Sequence, residues 1–125
     1  MENFRERRNL KRFTIPDAVV KYKQEKGFQG SMDVSGEGKL MNMTVHATRF
    51  ETQHVLTPGA VAILDLNIKG KDTIHVVGNV LWVSAAEDNS SANAMVQFFP
   101  FGTEHGYNTI ESKLQLEQLN KFYSN

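Results

Sequence analysis

The chain has 125 residues, a formal net charge of zero and no cysteine. This length suits a single domain with its own core, and 40% hydrophobic with 22% charged residues are globular proportions. The lack of cysteine excludes disulfides, thiolate metal sites and cysteine catalysis. No apolar run approaches the roughly 18 residues that cross a bilayer, and no apolar stretch follows the charged start. We therefore expect a cytoplasmic protein without membrane insertion.

Charge is distributed unevenly along the chain. Residues 1–12 hold five basic and two acidic side chains, whereas residues 13–125 hold nine basic and twelve acidic ones. This asymmetry predicts a flexible basic arm over residues 1–13 that binds an anion, followed by one domain over residues 14–125. Charge alone leaves open a solvated terminus without a ligand.

Alternating apolar residues predict five or six short strands after the arm. The apolar residues fall into five sets: Ala18, Val20 and Tyr22; Leu40, Met41, Met43, Val45 and Phe50, in extended-looking stretches; Leu64, Leu66 and Ile68; Ile74, Val76, Val80 and Trp82; and Ala94, Val96 and Phe98. Gly78 interrupts the fourth set where a bulge or bend would fit. Turns are expected around the glycines of 27–38 and at Thr57-Pro58-Gly59, and a polar loop over residues 87–93. Short spacing with hairpin-like connections favours an all-β antiparallel barrel over a parallel sheet.

One helix is predicted, over about residues 109–123. Asn108 and Glu111 have the spacing of a capping pair. Leu116, Leu119 and Tyr123 fall on one helical face, and Ile110 and Leu114 form a neighbouring strip (the helix thus has a side to bury). We expect the helix to cover one face of the barrel; a partner-binding helix is the alternative.

No residue pattern supports catalysis or a metal site. Four histidines, His46, His54, His75 and His105, lie far apart in the sequence. The chain has no Gly-x-Ser-x-Gly elbow, and its glycines lack the strand-to-helix context of a phosphate loop. We expect a protein that is not an enzyme, with no catalytic residues, no metal and no cofactor.

Two short patterns suit a guanine nucleotide. Arg8 and Arg12 are spaced Arg-x-x-x-Arg, and arginine offers a planar fork of donors for guanine edges and phosphates. Arg7 and Lys11 would add charge attraction. Residues 33–38 read Asp-x-Ser-x-x-Gly, which offers a carboxylate to the N–H groups of guanine, a hydroxyl, and a glycine for a tight turn.

These two patterns occur in this order and are followed by two strand-like segments, Val76–Val83 and Val96-Gln97-Phe98. Taken together, they resemble the PilZ domain family over essentially the whole chain. The resemblance implies a six-stranded antiparallel PilZ-like β-barrel with a C-terminal α-helix. It also implies cyclic di-GMP as the ligand, because many members bind this bacterial second messenger. The two motif arginines would hold guanine and phosphate groups, while the Asp/Asn and Ser of the second motif bind from the barrel side.

Two registers compete for the second motif. Asp33, Ser35 and Gly38 match it in identity, but Asp33 lies 26 residues before Gly59, which belongs to the segment Leu56–Val61 that leads into the next strand. Asn42 lies 17 residues before Gly59. The second spacing fits the family better. In that register Asn42 and Thr44 bind the ligand, Ala47 replaces the glycine, and residues 33–38 form an ordinary hairpin turn. If the glycine is needed for a positive φ, alanine costs about tenfold in affinity.

The resemblance implies a cyclic di-GMP-binding signalling or adaptor domain. Its arm would become ordered on ligand binding, and it would signal to an unidentified partner protein. The alternative is a degenerate PilZ-like interaction module that binds no nucleotide. A nucleic-acid-binding barrel with Phe4, Phe13 and Trp82 as stacking residues is disfavoured by the acidic body, so no DNA or RNA is expected. A homodimer is left open.

Overall fold

The structure is a computed structural model that describes residues 12–25, 33–85 and 91–123. This part of the chain contains six β-strands and one α-helix. They are β1 (Val19–Gln24), β2 (Val34–Met43), β3 (Ala47–Thr52), β4 (Val61–Asn67), β5 (Ile74–Ala85), β6 (Ala92–Phe98) and α1 (Ile110–Tyr123).

The six strands form a closed antiparallel barrel in the order β1-β2-β3-β6-β5-β4. Strand β1 pairs with β2 on one side and with β4 on the other, which closes the ring. Closure leaves no strand among these six with a free edge. The predicted all-β fold, a six-stranded barrel with one C-terminal helix, is confirmed.

The barrel interior is the hydrophobic core. The alternating apolar residues predicted for β1, β4 and β6 are buried, as the burial pattern of each strand shows. The largest fully buried side chains include Phe50, Met43, Leu56, Leu64 and Leu66. Burial of this alternating set dictates which side chains point outward, and so defines the surface available to a ligand.

A β-bulge separates Trp82 from the inward-facing residues of β5. Val80 pairs with Val96, but the register then shifts and Trp82 pairs with the outward-facing Met95. The prediction that Trp82 shares a face with Val80 was wrong, and so was the bulge at Gly78. Gly78 stays in regular pairing, and a Cβ there would overlap the Gln97 carbonyl oxygen.

Residues 34–38 are strand, not the predicted turn. They form the first half of β2 and pair with β1, with Gly38 opposite Val20 and Gly36 opposite Tyr22. A Cβ on Gly38 would overlap the backbone carbonyl oxygen of Glu51. This glycine therefore permits close backbone approach rather than a turn.

The other predicted turn is confirmed. At Thr57-Pro58-Gly59, the Ala60 N–H donates to the Thr57 carbonyl oxygen at 3.0 Å, and Gly59 has a φ of 91°. Part of the predicted loop, residues 87–90, lies outside the described residues, as do Gly27 and Gly30; Asn93 belongs to β6.

Helix α1 packs on the barrel through the predicted face. Leu116 and Leu119 are buried and Tyr123 packs against the core, whereas Ile110 and Leu114 are 44% and 54% exposed. Within the described ranges, no helix is long and apolar enough to cross a membrane.

The residue that caps α1 is Thr109, not Asn108. The Thr109 hydroxyl oxygen accepts the Ser112 backbone N–H at 3.1 Å, as an N-cap does. Asn108 is 6% exposed, and its side chain is bonded to the barrel instead. The Asn108–Glu111 capping prediction was wrong because β5 occupies the Asn108 amide.

Candidate functional site

The end of the basic segment is attached to the end of β2. Phe13 and Met43 exchange two backbone hydrogen bonds, each with an N–O distance of 2.9 Å. The Phe13 side chain is buried at 4% exposure, so the packed barrel includes this residue. Arg12 precedes it and is exposed, next to the turn that follows Met43. Arg8, like Arg7, Lys11 and Phe4, lies outside the described residues.

Thr44 shapes the tight turn between β2 and β3. Its hydroxyl oxygen accepts the N–H groups of His46 at 3.0 Å and Ala47 at 3.2 Å, and its own N–H donates to the Ala47 carbonyl oxygen at 2.8 Å. A threonine hydroxyl that accepts such bonds still has its hydrogen to donate. Thr44 can thus hold the turn and offer a donor at the same time.

Ala47 is the first residue of β3 and pairs with Gln97. Among the described non-glycine residues only Asp17 has a positive φ, of 59°. Alanine is therefore unstrained at position 47, and the expected backbone cost does not apply to this conformation. Replacing Ala47 with glycine would remove the Cβ but would relieve no backbone strain.

The alternative motif residues lie at the other end of β2. Ser35 pairs with Lys23 near the end of β1, and Asp33 immediately precedes the strand. Asn42 lies seven positions after Ser35 along β2, a distance of roughly 20 Å. The Phe13–Met43 bridge therefore brings Arg12 beside Asn42 and Thr44, and leaves Asp33, Ser35 and Gly38 further along the strand.

The outer barrel face beside Asn42 carries residues that the sequence patterns did not single out as a group. We call Asn42, Arg49, Trp82, Asn93 and Met95 the outer patch. A bulge between Leu40 and Asn42 sets Asn42 opposite Arg49, and Arg49 lies opposite Met95. The Arg49 guanidinium carbon is 5.4 Å from the centre of the Trp82 ring. The bulge in β2 turns Asn42 outward and the bulge in β5 turns Trp82 outward, which simple strand alternation does not predict.

The histidines do not form a metal site in the described part of the chain, which has no cluster of three metal-ligating residues. His54 Nδ1 lies 2.9 Å from the Tyr22 hydroxyl, and His75 Nδ1 lies 2.6 Å from an Asp65 carboxylate oxygen. His46 and His105 are exposed. The four histidines thus lie on separate strands and loops of the barrel.

Comparison with known proteins identifies the fold. No family model matches the chain, and no curated protein matches it. Among solved structures, the PilZ domain of YcgR from Escherichia coli, described with c-di-GMP, is similar with a TM-score of 0.62 and 12% sequence identity. The similarity covers 94% of this chain and 92% of that one. The chain therefore has a PilZ-like fold.

Proposed function

We propose that this protein is a cyclic di-GMP-binding signalling or adaptor domain, with Arg8, Arg12, Asn42 and Thr44 as its ligand-binding residues. The observation that carries the proposal is the Phe13–Met43 bridge, which sets Arg12 beside the β2–β3 turn. A PilZ-like fold and a structural neighbour described with this dinucleotide support the same ligand.

The four proposed residues supply three chemical functions. The guanidinium groups of Arg8 and Arg12 donate to guanine and phosphate acceptors in a planar fork. The amide oxygen of Asn42 accepts from base N–H groups, and the Thr44 hydroxyl donates. The packing role of Gly38 against Glu51 supports this register over Asp33 and Ser35.

The signal would arise from the basic arm. Because Phe13 is fixed in the core, the arm joins the barrel at Arg12, beside Asn42 at the end of β2 and Thr44 in the turn. Binding of an anionic dinucleotide there would order the arm over the barrel surface and present a new surface to a partner protein. We propose no DNA, RNA or membrane partner.

An interaction module that binds no nucleotide is the second candidate. Ala47 in place of the motif glycine favours it, as does the exposed apolar pair Ile110 and Leu114 on α1. Exposed apolar residues on a helix whose other face is already anchored favour contact with a second protein.

Calorimetric titration distinguishes the two candidates. Cyclic di-GMP is titrated into the purified protein, with GTP as the control nucleotide. Heat from the cyclic dinucleotide alone supports the receptor. Arg8→Ala or Arg12→Ala should then weaken binding by about 1.5–3 kcal/mol each without a large change in Tm, whereas Arg5→Ala, the matched charge control, should change it little. No heat at tens of micromolar protein supports the interaction module.

A further inference from the structure

We propose that Arg49 and Asn93, together with Asn42, read the Watson–Crick edge of a guanine base on the outer barrel face. The inference rests on the proposed function and extends the site from the β2–β3 turn onto β3 and β6. Neither Arg49 nor Asn93 belongs to the motifs that suggested the ligand.

The three side chains occupy neighbouring outward positions. Asn42 pairs across the strands with Arg49, and Arg49 pairs with Met95. Asn93 is two residues before Met95 and points to the same face, diagonal to Arg49. The residues thus form one continuous surface across β2, β3 and β6.

The outer patch contains an unusual concentration of unpaired polar atoms. Among the described residues, four buried side-chain nitrogen or oxygen atoms lack a hydrogen-bond partner, and three of them are Asn42 Oδ1, Arg49 Nε and Asn93 Oδ1. Native proteins pair nearly all such atoms, and charged or amide groups left unpaired are costly. A ligand that pairs these three atoms would recover that cost on binding.

The set of atoms is complementary to guanine. Arg49 Nε is a donor, and the two asparagine oxygens are acceptors. The Watson–Crick edge of guanine presents one acceptor, O6, and two donor groups, N1–H and the 2-amino group. The same edge of adenine offers one donor group and one acceptor, and would leave an asparagine oxygen unpaired.

Side-chain positions allow these groups to reach a ligand. Asn42, Arg49 and Asn93 are each half-buried on the outside of the barrel, so rotation about their side-chain bonds can bring the polar ends to the surface. Arg49 forms no ion pair with any described carboxylate. Its guanidinium packs on the Trp82 ring, which limits the orientations of the donor group.

The test compares cyclic di-GMP with its hypoxanthine analogue, which lacks the 2-amino group but keeps O6 and N1–H. Wild-type protein should bind the guanine form about tenfold more tightly. Asn93→Ala should lower that preference to about twofold or less, because an acceptor for the amino group is lost. Arg49→Met and Arg49→Lys should each weaken both ligands at least fivefold, since neither side chain has an Nε–H to donate to O6. Gln97→Ala, which removes an exposed amide further along β6, is the matched control.

A merely structural role makes different predictions. Trp82 is the only tryptophan, so its fluorescence should change when the ligand binds, and the Tm of each variant reports folding. If wild-type protein binds cyclic di-GMP but the Asn93 and Arg49 variants keep its affinity and base preference, this inference is overturned and the proposed function stands. If the wild-type protein binds neither ligand, the proposed function fails and this inference fails with it.

Discussion

Asn108 is a buried side chain that links the barrel to the segment just before α1. Its amide oxygen accepts the Val77 N–H at 2.7 Å, and its amide nitrogen donates to the carbonyl oxygens of Val77 at 2.9 Å and Phe99 at 3.0 Å. This one buried side-chain amide thus makes three hydrogen bonds to the backbone, at the point where the chain runs from β6 to the helix.

Replacing Asn108 with alanine should lower the free energy of unfolding by about 2–4 kcal/mol, because it leaves buried backbone groups unpaired. Urea unfolding followed by circular dichroism measures the change. Asn79→Ala is the control, since Asn79 is an exposed amide on β5, the strand that Asn108 contacts, and its loss should cost less than about 0.5 kcal/mol. If the two variants were equally stable, the hydrogen bonds of Asn108 would make no net contribution to the free energy of unfolding.

The choice between motif registers is also a question about single residues. Asn42→Ala should weaken cyclic di-GMP binding at least about fivefold, because a neutral hydrogen bond contributes around 1 kcal/mol. Asp33→Ala should leave the affinity unchanged within about twofold. Calorimetry of both variants gives the answer, and the reverse pattern would restore Asp33 and Ser35 as the ligand-binding pair.

Residue-level prediction from the sequence was strongest where a residue's neighbours in the chain determine its place. Spacing along the chain favoured Asn42 and Thr44, and Thr44 does lie in a turn close to Arg12. The alternation rule placed Trp82 inside, because a bulge depends on pairing with β6, which one strand's sequence does not record. Asn93 was missed because the sequence predicted a polar loop over residues 87–93, and Arg49 because its neighbours on β2 and β6 lie far from it in the chain.

At the scale of elements, strand β2 contains glycines that resemble a turn signal in the sequence but allow close packing of strands in the structure. The strand runs without interruption through Gly36 and Gly38, and its neighbour β3 approaches Gly38 at the backbone of Glu51. Alternation predicted β1, β4 and β6 well because each has one buried face. It failed on residues 34–38, where glycines replace the side chains that would have alternated.

Gly38→Ala should destabilise the barrel by about 3 kcal/mol or more, because the added methyl would meet backbone that cannot rotate away. The loss should be the same with and without cyclic di-GMP, within the error of denaturant unfolding. Gly102→Ala is the control: its Cβ would meet the side chain of Tyr107, which is 40% exposed and can move. A Gly38→Ala protein as stable as the wild type would contradict the strand spacing and reopen the motif role of Gly38.

For the molecule as a whole, barrel closure brings together two segments that the sequence separates by about thirty residues. Phe13 enters the core and bridges Met43, so Arg12, the last residue of the basic segment, lies next to the turn that carries Thr44. The same turn faces α1 across a cavity of about 190 Å³ lined by Val45, His46, Phe101, Lys113, Glu117 and Asn120. Charge asymmetry predicted a basic arm, but only the closed fold indicates where on the surface that arm would act.

If ligand binding orders the arm, cyclic di-GMP should protect it from trypsin. Residues 1–12 contain five trypsin sites, Arg5, Arg7, Arg8, Lys11 and Arg12. Trypsin cleaves extended chain, and an arginine held against phosphate or guanine is unavailable to the protease. At saturating cyclic di-GMP, cleavage within the arm should slow at least about fivefold, measured by mass spectrometry of the released peptides.

GTP should give no such protection, and cleavage of an unrelated arginine peptide in the same tube shows that trypsin itself is not inhibited. Arg12→Ala gives a sharper comparison, because that variant removes one proposed clamp but leaves the other four cleavage sites. Its arm should be cut at nearly the same rate with and without ligand. Unchanged cleavage of the wild type, under conditions where calorimetry shows saturation, would mean that the dinucleotide binds without ordering the arm. The signal would then have to leave the barrel by another element, and α1, which faces the β2–β3 turn across the cavity, would be the next to test.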